Sequence, residues 1–568
     1  MQYDVLILGS GLGGTVTASI LAKKGWRVLL IDSASHPRFA IGEATTPDIS
    51  FLMKVLSKKY EIPELLNLTT FHKLRDHVSS ACGIKKSFSF LYHNEGEVHT
   101  PEQSHQFPTL APPFGPDCHL FRQDTDAYMM AVALDYGADI RQQTRVEEIE
   151  FGPEGVVLTT CGGEEIRGRF LIDGAGFRSP VAKKFGLRET PCRLKAHSRT
   201  LFTHMIGVEH YQEVGGSPRN YGHAYRFSEG TLHHMFAEGW MWVIPFNNHN
   251  DATNQLCSVG VLLDSNKCPK PTDMSPEEEF QSLIARFPSI SDQFKNARAV
   301  RDWVSTDRLQ YSSSDIVGDR YCLLAHAGGF IDPLYSTGLN LTMSLIDDLV
   351  TRLDQSLKAD RFEKADFDFI NDEFQEKLDY CDRMVANSFR AFQNYDLWDA
   401  WYRVWVVGNF SATAMNINLY LNYEQTSNRD WLDRTDDAPY SGILGSRLSA
   451  NRELFERADA LMQAFERGEK SASEAADGIR KVIEDADYFP SYWKFHDKEM
   501  RSTPTFTVPD ITRMYMWFVL YAPKEIRKDL MGSKLSGVFT YTLKSIRDHR
   551  SRANSRKRLI RDALFSAQ

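Results

Sequence analysis

The N-terminal segment places two strand-like runs around a glycine-rich turn and a helical pattern. Residues 3–8 (YDVLIL) are typical of a buried strand, and residues 9–14 (GSGLGG) follow directly. Residues 15–24 have apolar side chains at helical spacing, and residues 27–32 (RVLLID) are a second apolar run that ends in an acid. Strand, glycine turn, helix, strand and acid in this order predict a βαβ unit that binds a dinucleotide. Such a unit restricts the chain to an α/β fold with a parallel sheet.

Each glycine of the turn has its own expected role. Gly9 makes the tight turn, Gly11 lets the backbone approach a pyrophosphate, and Gly14 permits close packing of helix on strand. The pyrophosphate is expected at the N-terminus of the helix, where free N–H groups favour an anion. Asp32 can accept hydrogen bonds from ribose hydroxyls and would repel a phosphorylated ribose, which favours FAD or NAD over NADP. The predicted cofactor contacts in this unit are Gly9, Gly11, Leu12, Gly13, Gly14 and Asp32.

The composition of the 568-residue chain is that of a globular protein, with 42% hydrophobic and 25% charged residues. Its 66 basic and 75 acidic side chains give a net charge of −9, which argues against nucleic acid as a partner. No apolar run approaches the roughly 20 residues of a membrane span, and the eight cysteines form no CxxC pair. We therefore expect a soluble, cytoplasmic protein with reduced thiols and no membrane partner. His197, His204, His233 and His234 lack zinc spacing, so no metal site is predicted.

The chain divides into a mixed part and a helical part. Strand-like and helical patterns alternate up to about residue 340, and the remainder is almost wholly helical. We predict a Rossmann-type α/β module with interleaved substrate-side β elements at 1–345, and a helical C-terminal region at 346–568 that completes the substrate pocket. The basic stretch 544–561 is either a solvated helix face or a contact surface for a partner. Further strands are predicted at 86–92, 155–160, 166–173, 257–263 and 321–324.

Two later stretches favour FAD over NAD. Residues 173–176 (DGAG) resemble the corresponding stretch of flavoprotein monooxygenases of the hydroxybenzoate-hydroxylase type. Residues 328–338 (GGFIDPLYSTG) resemble the second flavin motif of those proteins, which brings an aspartate near the ribityl chain and a helix N-terminus near the isoalloxazine. The acid that usually precedes this motif is replaced by His326, between two alanines. The flavin contacts that this resemblance implies are Ile41, Gly42, Arg122, Asp173, Gly176, Asp332 and Leu339.

Two motifs outside the dinucleotide unit narrow the family. Residues 42–47 (GEATTP) resemble the G-E-S-x-x-P strap of flavin-dependent halogenases, and residues 240–245 (WMWVIP) match their W-x-W-x-I-P motif at every fixed position. The resemblance extends over nearly the whole chain. Within this family, the stretches at 36–39, 83–85 and 319–322 are similar to those of halogenases that chlorinate a pyrrole ring.

The resemblance implies a two-component enzyme, in which a separate reductase supplies FADH₂ because only one dinucleotide fingerprint is visible. Reduced FAD then reacts with O₂ to a C4a-hydroperoxide, and chloride or bromide attacks it to give hypohalous acid, which a tunnel conducts to the substrate. Glu43 would orient flavin or tunnel groups, Ser336 would line the tunnel, and Thr337 and Gly338 would bind halide at a helix N-terminus. The implied wall between flavin and substrate comprises Trp240, Trp242, Ile244 and Pro245. The alternative for the two tryptophans is core packing on one face of a strand.

The family's essential lysine corresponds by resemblance to Lys85, with Lys86 as the alternative. If one strand covers both residues, their side chains point to opposite faces, and Phe88 and Phe90 share the face of Lys86. That arrangement would count against Lys85. A lysine that is halogenated on nitrogen must be neutral, which at pH 7 holds for about one molecule in 2,500 at an ordinary pKa of ~10.4. Burial would raise that fraction by lowering the pKa.

The position just before the Ser-Thr-Gly of the second flavin motif bears on the substrate. Tryptophan halogenases carry a glutamate there, whereas this chain has Tyr335, which is neutral at pH 7. We therefore expect a free, electron-rich phenol or phenylpyrrole that needs no carboxylate for its activation. Aromatic residues at 395, 398, 401, 402 and 405 either wall a flat aromatic pocket or pack between helices. The rival functions are a single-component flavin hydroxylase of aromatic substrates and, with less support, a non-enzymatic FAD-binding protein.

Overall fold

A computed structural model describes residues 2–215, 220–436, 442–504 and 507–531, and five positions between 540 and 547. Most of the basic stretch predicted at 544–561 lies outside these residues, so its two interpretations stay predictions.

The first sheet is built mainly from parallel strands, as the βαβ pattern predicts. Its central strands are apolar runs buried on both faces, which is typical of a parallel sheet covered by helices. Its order is Val317–Gly318, Tyr321–Leu323, Glu165–Asp173, Gln2–Leu8, Val28–Ile31 and Asp139–Arg141. Val146–Gly152 and Gly155–Thr160 extend it as an antiparallel hairpin that pairs with the start of Glu165–Asp173. The strands predicted at 155–160, 166–173 and 321–324 are confirmed within one residue at each end.

The second sheet is largely antiparallel and supplies the side chains of the site. Its order is Arg298–Ala299, Ser198–Ile206, Cys257–Asp264, Gly239–Pro245, Thr231–Phe236, Ser87–Tyr92 and Ser104–Pro108, with Val304–Arg308 paired to Ser198–Ile206. Successive side chains point to opposite faces, so Trp240 and Trp242 face the main core, while Met241 and Val243 face a second apolar cluster under two helices. A separate two-stranded ladder joins Gly83–Lys85 to Asp117–His119.

A glycine in the second sheet makes room for one of the tryptophans. Gly260 lies opposite Trp242 in the antiparallel pair, and a Cβ atom at Gly260 would lie 2.1 Å from the Trp242 ring. The indole therefore occupies the space that any larger residue at this position would fill.

The C-terminal part is almost wholly helical in the residues that the structure describes, as predicted, apart from loops and an isolated bridge between Ser502 and Gln106. The long helix Tyr395–Thr426 is its centre, and it packs against Pro47–Lys59 from the N-terminal part and against Ala472–Glu484. The predicted division at 345/346 falls within the helix Gly338–Ala359, and the division stays a prediction. The other helices are Leu12–Lys23, Phe71–His77, Arg122–Asp135, Pro180–Lys184, Tyr211–Val214, Pro276–Ala285, Pro288–Phe294, Ala325–Gly328, Asp368–Ala391, Asp430–Asp433, Ser449–Glu466, Val508–Leu520 and Lys524–Met531.

Candidate active site

The glycine turn has the geometry that a pyrophosphate requires. Gly9 has φ +92°, and a Cβ there would lie 2.6 Å from the carbonyl oxygen of Gly174. Gly14 packs so closely that its Cβ would lie 2.0 Å from the Gly9 carbonyl oxygen. Gly11 caps the helix Leu12–Lys23 and has no atom within 4 Å of where a Cβ would be. The open space at a helix N-terminus fits the phosphates of a dinucleotide.

Asp32 lies at the end of the second strand, where the ribose was expected, and its carboxylate is already hydrogen-bonded. Oδ2 accepts from the backbone N–H and the hydroxyl of Ser10, each at 2.7 Å. Arg38 donates to both carboxylate oxygens, at 3.1 and 2.7 Å. The hydrogen bonds from Ser10 and Ala34 and the charge of Arg38 outweigh burial and hold the pKa of Asp32 below its usual value. The carboxylate is therefore ionised and its position is set by the turn itself.

A cavity of about 250 Å³, called here the strap cavity, lies where residues 41–44, the second sheet and the start of the helix Gly338–Ala359 meet. Twelve of the residues predicted from the sequence motifs line it: Ile41, Gly42, Glu43, Arg122, Trp240, Trp242, Ile244, Asp332, Ser336, Thr337, Gly338 and Leu339. The structure therefore brings together in one space three motifs that are about 90 to 300 residues apart in sequence. Lys85, Pro245, Asp173, Gly176 and the glycine turn lie outside this lining.

Arg122 connects the strap to the helix Arg122–Asp135. Its guanidinium donates to the carbonyl oxygens of Ile41 and Gly42, at 2.6 and 3.2 Å, and forms a two-pronged ion pair with Asp126. Gly42 has φ +92°, which favours glycine. Arg122 thus holds the strap backbone while it faces the cavity.

Glu43 is a buried carboxylate rather than an ordinary exposed loop residue. Only 3% of Glu43 is exposed, and its Oε1 lies 2.8 Å from Nε2 of the buried His204. His204 in turn packs edge-on against Phe39. The sequence showed no partner for either residue, because they are 161 positions apart in the chain.

Asp332 of the second flavin motif is buried and hydrogen-bonded to the tryptophan wall. Its Oδ1 accepts from the Trp240 indole N–H at 3.2 Å and from the Leu334 backbone N–H at 3.0 Å, and its Oδ2 accepts from the Ser198 hydroxyl at 2.6 Å. Burial raises the pKa of Asp332 to about 7 despite these donors. Asp332 thereby links the flavin motif to the second sheet.

The helix Gly338–Ala359 begins at the cavity wall, and its first N–H groups have no partner within the helix. Ser336, just before it, has φ +55°, an uncommon conformation for a residue other than glycine. His326 lines the same wall, and a Cβ on Gly338 would lie 3.1 Å from its Nε2. Burial lowers the pKa of His326 to about 4, so the imidazole is neutral. An electropositive helix end and a neutral imidazole thus occupy the place where the usual acid is missing.

Asp173 and Gly176 serve the turn after the strand Glu165–Asp173. The Asp173 carboxylate accepts from the Ser179 hydroxyl at 2.6 Å and from the backbone N–H groups of Ala175 and Val181. Gly176 has φ +67°. Both residues support the backbone next to Gly9, and their direct contact with cofactor stays a prediction.

Lys85 is completely buried at the end of its short strand. Its Nζ donates to the carbonyl oxygen of Thr45 at 2.7 Å and lies 3.4 Å from the centroid of the Phe88 ring. Burial lowers its pKa from 10.5 to about 7, although the nearby Asp117 charge opposes this effect. Asp117 faces Lys85 across the two-stranded ladder, accepts from the Ser50 hydroxyl through Oδ1, and has no partner for Oδ2 in the described part of the chain.

Lys86 has a different environment. Its side chain is 30% exposed, and its Nζ pairs with Glu229 at 2.6 Å. The strand predicted at 86–92 is confirmed within one residue as Ser87–Tyr92, and a break at Lys86 separates it from Gly83–Lys85. This break removes the alternation argument and lets Lys85 share the side of Phe88.

A second, smaller space lies beyond Lys85, and we call it the apolar cavity. It encloses about 40 Å³. Its wall consists of Pro47, Phe107, Pro108, Leu110, Phe114, Asn409, Phe410, Thr413, Ala414, Ile417, Leu421, Ile511 and Met514. The strap lines the first cavity through Ala44 and the second through Pro47, and Lys85 donates to Thr45 between them. The amine therefore lies between the two cavities.

Comparison with known proteins identifies the family of this chain. The sequence profile of the family described as tryptophan halogenase matches residues 4–65 and 89–424, well over half of the chain. The chain is 42% identical over 533 residues to monodechloroaminopyrrolnitrin halogenase PrnC of Pseudomonas fluorescens, covering 93% of both proteins. It is also 42% identical to tetracycline 7-halogenase of Kitasatospora aureofaciens, over 94% of this chain and 95% of that one.

The chain belongs to the tryptophan-halogenase family.

The solved structure of halogenase PltM in complex with phloroglucinol and FAD has the same fold, with a TM-score of 0.84 and 35% identity over 88% of this chain and 99% of that one. This halogenase is therefore an enzyme of the flavin-dependent type, with FADH₂, halide and O₂ as its cofactor and co-substrates. The predicted α/β flavin fold and halogenase activity are confirmed, and nothing supports the hydroxylase alternative.

The aromatic cluster of the halogenase is core rather than pocket wall. Trp398, Trp401, Tyr402 and Trp405 are each at most 2% exposed, and none of the five cluster residues lines either of the two cavities. Trp405 stacks on Tyr335 with ring centroids 5.1 Å apart. Tyr335 also shares a hydrogen bond of 2.7 Å with Ser388, and burial raises its pKa well above the usual value. Tyr335 is therefore neutral and lies outside the lining of both cavities.

The four histidines whose spacing did not predict a zinc site have hydrogen-bond or packing partners or lie near the surface. His233 stacks on Phe90 at 4.3 Å, and His234 lies 2.9 Å from His93 and 2.7 Å from Gln293. Within the described ranges, no group of three or more histidine, cysteine, aspartate or glutamate side chains could hold a metal ion. No helix in that part of the chain is long and apolar enough to cross a membrane.

Sequence reasoning missed three features of this site: the His204 partner of Glu43, Asp117 opposite Lys85, and the two polar residues Asn409 and Thr413 in the apolar cavity. The last pair had a usable signal, since an asparagine and a threonine one helical turn apart interrupt an apolar face. The first two had none, because each depends on a long-range contact.

Proposed function

We propose that this enzyme halogenates a free, electron-rich aromatic molecule of the phenol or phenylpyrrole class, with Lys85 as its catalytic residue. The observation that carries the proposal is the position of the Lys85 amine, buried between the strap cavity and the apolar cavity with a pKa of about 7. At pH 7 an amine with this pKa is neutral in about half of the molecules. That neutral fraction is about three orders of magnitude larger than the fraction for an ordinary lysine.

The strap cavity and the glycine turn are the proposed FAD site. The open approach at Gly11, the ionised Asp32, and Arg122 beside the strap fit the phosphates and ribose of that cofactor. Bound reduced FAD supplies, with O₂ and halide, the hypohalous acid that is the halogenating agent. Halide binding is assigned to Thr337 and Gly338, because the free N–H groups of the first helical turn face the cavity there.

The wall of Trp240, Trp242 and Ile244 separates the flavin from the aromatic substrate. These three side chains point from one face of the second sheet into the strap cavity, and Trp240 is held by Asp332. With the wall in place, the substrate cannot touch the flavin and instead meets the oxidant at Lys85. Glu43 and Ser336 are proposed to orient groups along this path, since both line the cavity.

Lys85 acts at the junction of the two cavities. Its neutral amine and hypohalous acid give an N-halo amine and water; the ring carbon of the substrate then takes the halogen, and the ring proton returns to the nitrogen. Burial favours this step because it lowers the pKa of the amine. The carbonyl of Thr45 and the Phe88 ring hold the amine in place.

The substrate class follows from the lining of the apolar cavity. Among the described residues no carboxylate lines this cavity, and the residue before Ser336 is the neutral Tyr335. The ring must therefore be reactive by itself, as phenols and pyrroles are. The relatives agree, since one is named for an aminopyrrolnitrin and another was solved with the phenol phloroglucinol. A separate reductase is proposed to supply FADH₂, and the parts 1–345 and 346–568 are proposed as flavin module and pocket-completing region.

Two matched variants test the role of the lysine. We expect Lys85→Ala to abolish halogenation while FAD still binds and reduced flavin still consumes O₂, and Lys86→Ala to retain activity because Lys86 is an exposed ion-pair residue. The assay supplies FADH₂, O₂ and bromide or chloride with phenols, phenylpyrroles and free tryptophan, and detects product by mass and isotope pattern. Activity in Lys85→Ala, or efficient turnover of tryptophan alone, contradicts the proposal.

A further inference from the structure

Two polar side chains interrupt the otherwise apolar wall of the apolar cavity, and both lack hydrogen-bond partners in the part of the chain that the structure describes. Asn409 is 1% exposed, and neither its Nδ2 nor its Oδ1 has a hydrogen-bond partner among the described residues. Thr413 is 6% exposed, and its buried Oγ1 also lacks one there. An unpaired buried amide or hydroxyl is unfavourable, so such groups in a native structure require an explanation.

Two other polar residues of the same helix are satisfied within the protein. Asn422 donates through Nδ2 to the carbonyl oxygen four residues earlier at 2.8 Å, and Ser411 donates in the same way at 2.9 Å. This back-bonding is the ordinary solution for serine and threonine inside a helix. Asn409 and Thr413 differ from these two residues, since their polar atoms have no partner among the described residues. Trp398, Tyr402 and Trp405 of the same helix also have a buried polar atom without a partner there, but they line neither cavity.

Their spacing directs both groups to one place. Residues 409 and 413 are one turn apart on the helix Tyr395–Thr426, so their side chains lie on the same face, and both line the apolar cavity. The amide offers donors and an acceptor, and the hydroxyl offers one donor and accepting lone pairs. Together they can bind one small group that both donates and accepts.

The cavity adjoins the reactive amine on two sides. Phe107 lines the cavity and packs against Phe88, whose ring lies under the Lys85 amine. Pro47 lines it as well, two residues after the Thr45 carbonyl that accepts from Lys85. A molecule held by Asn409 and Thr413 would thus be placed next to the residue that delivers halogen.

The cavity also selects for neutral molecules. Among the residues that the structure describes, no charged side chain lines it, and burying an ammonium or carboxylate group without a partner is strongly unfavourable. A zwitterionic amino acid such as free tryptophan does not satisfy this requirement, whereas a neutral phenol or pyrrole does.

We propose that Asn409 and Thr413 form a specificity-determining subsite that binds the hydroxyl or ring N–H of a neutral aromatic substrate. This inference rests on the proposed function, and it narrows the substrate to molecules with one hydrogen-bonding group on an otherwise apolar ring. The site rejects ring analogues that lack the group, because they leave three buried polar atoms unpaired.

Binding to the full chain tests the subsite without chemistry. Titration calorimetry compares 4-chlorophenol with its isostere 4-chlorotoluene and with the anion 4-chlorobenzoate. We expect Thr413→Val and Asn409→Leu each to reduce the preference for the phenol over the toluene by about 10-fold. Thr413→Ser, which keeps the hydroxyl, and Ser411→Ala, which changes a neighbour bonded within the helix, should keep the native preference. 4-Chlorobenzoate should not bind.

The outcomes separate this inference from the proposed function. An unchanged preference in both variants, or tight binding of 4-chlorobenzoate, overturns the subsite even if Lys85→Ala is inactive. A lost preference together with full activity of Lys85→Ala supports the subsite as a binding site and overturns the role of the lysine. If Asn409→Leu does not fold, the comparison of Thr413→Val with Thr413→Ser decides, because the first replaces the hydroxyl by a methyl group and the second keeps the hydroxyl.

Discussion

The charge of Asp117 should control the pH dependence of halogen transfer through Lys85. The two residues face each other in the ladder of Gly83–Lys85 with Asp117–His119. The carboxylate stabilises the protonated amine, while burial of Lys85 opposes protonation and brings its pKa to about 7. If the neutral amine accepts the halogen, the rate of transfer rises with pH through that pKa. Asp117→Asn removes the stabilising charge, lowers the pKa further, and moves the rising limb to lower pH.

The size of the shift follows from the pair geometry. Side chains directly opposed on antiparallel strands are about 5 Å apart, and at an effective dielectric constant of about 20 two unit charges at that distance interact by about 3 kcal/mol. This corresponds to about 2 pKa units. Burial raises the pKa of Asp117 itself, so part of the carboxyl population is protonated near neutrality and contributes nothing. We therefore expect a shift of about 1 to 2 units toward lower pH.

The measurement is the single-turnover rate of product formation from pH 5 to 9, with hypohalous acid release followed separately so that flavin chemistry is not mistaken for transfer. Ser50→Ala is the matched control, because it removes the hydroxyl that donates to Asp117 and leaves the carboxyl in place. Loss of the Ser50 hydroxyl destabilises the Asp117 carboxylate. The control should therefore shift the rising part of the pH–rate profile in the same direction as Asp117→Asn, but by less. Two results would refute the reasoning. One is a pH–rate profile of Asp117→Asn whose rising part stays in place or moves to higher pH. The other is a rate of transfer that falls with pH in the native enzyme.

The remaining predictions concern two glycines. Gly11→Val should keep its melting temperature, since no protein atom lies within 4 Å of the new Cβ, yet lose FAD during gel filtration as followed by flavin absorbance; native FAD affinity would contradict the pyrophosphate placement. Gly260→Ala should lose about 1–3 kcal/mol of unfolding free energy in denaturant titrations, because its Cβ would lie 2.1 Å from the Trp242 ring. Gly152→Ala, whose Cβ meets nothing within 4 Å, is the control, and equal stability of the two variants would rule out the packing explanation.

Local chemistry let the sequence predict the dinucleotide half of the protein. A glycine that needs positive φ, a helix N-terminus and an acid after a strand are all encoded within a few residues, so the turn at Gly9 and the position of Asp32 follow from short-range geometry. The motifs at 42–47 and 240–245 were also readable, because alternation along a strand puts Trp240 and Trp242 on one face. Residues of both motifs line one cavity together with Asp332, in agreement with the family resemblance from which their roles were predicted.

The choice between the two lysines depended on the tertiary structure. Alternation in one continuous strand counted against Lys85. In the structure Gly83–Lys85 pairs with Asp117–His119, whereas Ser87–Tyr92 pairs within the second sheet, so the strand is broken at Lys86. Lys85 pairs with Asp117, 32 residues away, and Ser87 with Pro108, 21 residues away, and no local pattern contains these partners. The same holds for the lowered pKa of Lys85, which burial by distant segments produces.

The apolar cavity is the part that only the fold could create. Its wall draws on residues 47, 107–114, 409–421 and 511–514, which are up to 467 positions apart and come together because the helix Tyr395–Thr426 packs against Pro47–Lys59. The aromatic residues at 398–405 have the helical spacing of a pocket wall, yet they pack in the core, since spacing defines a face and the neighbouring elements decide what covers it. The sequence by itself determined a flavin-binding halogenase. Long-range packing determined which lysine is buried and which polar groups in the apolar cavity have no partner among the described residues.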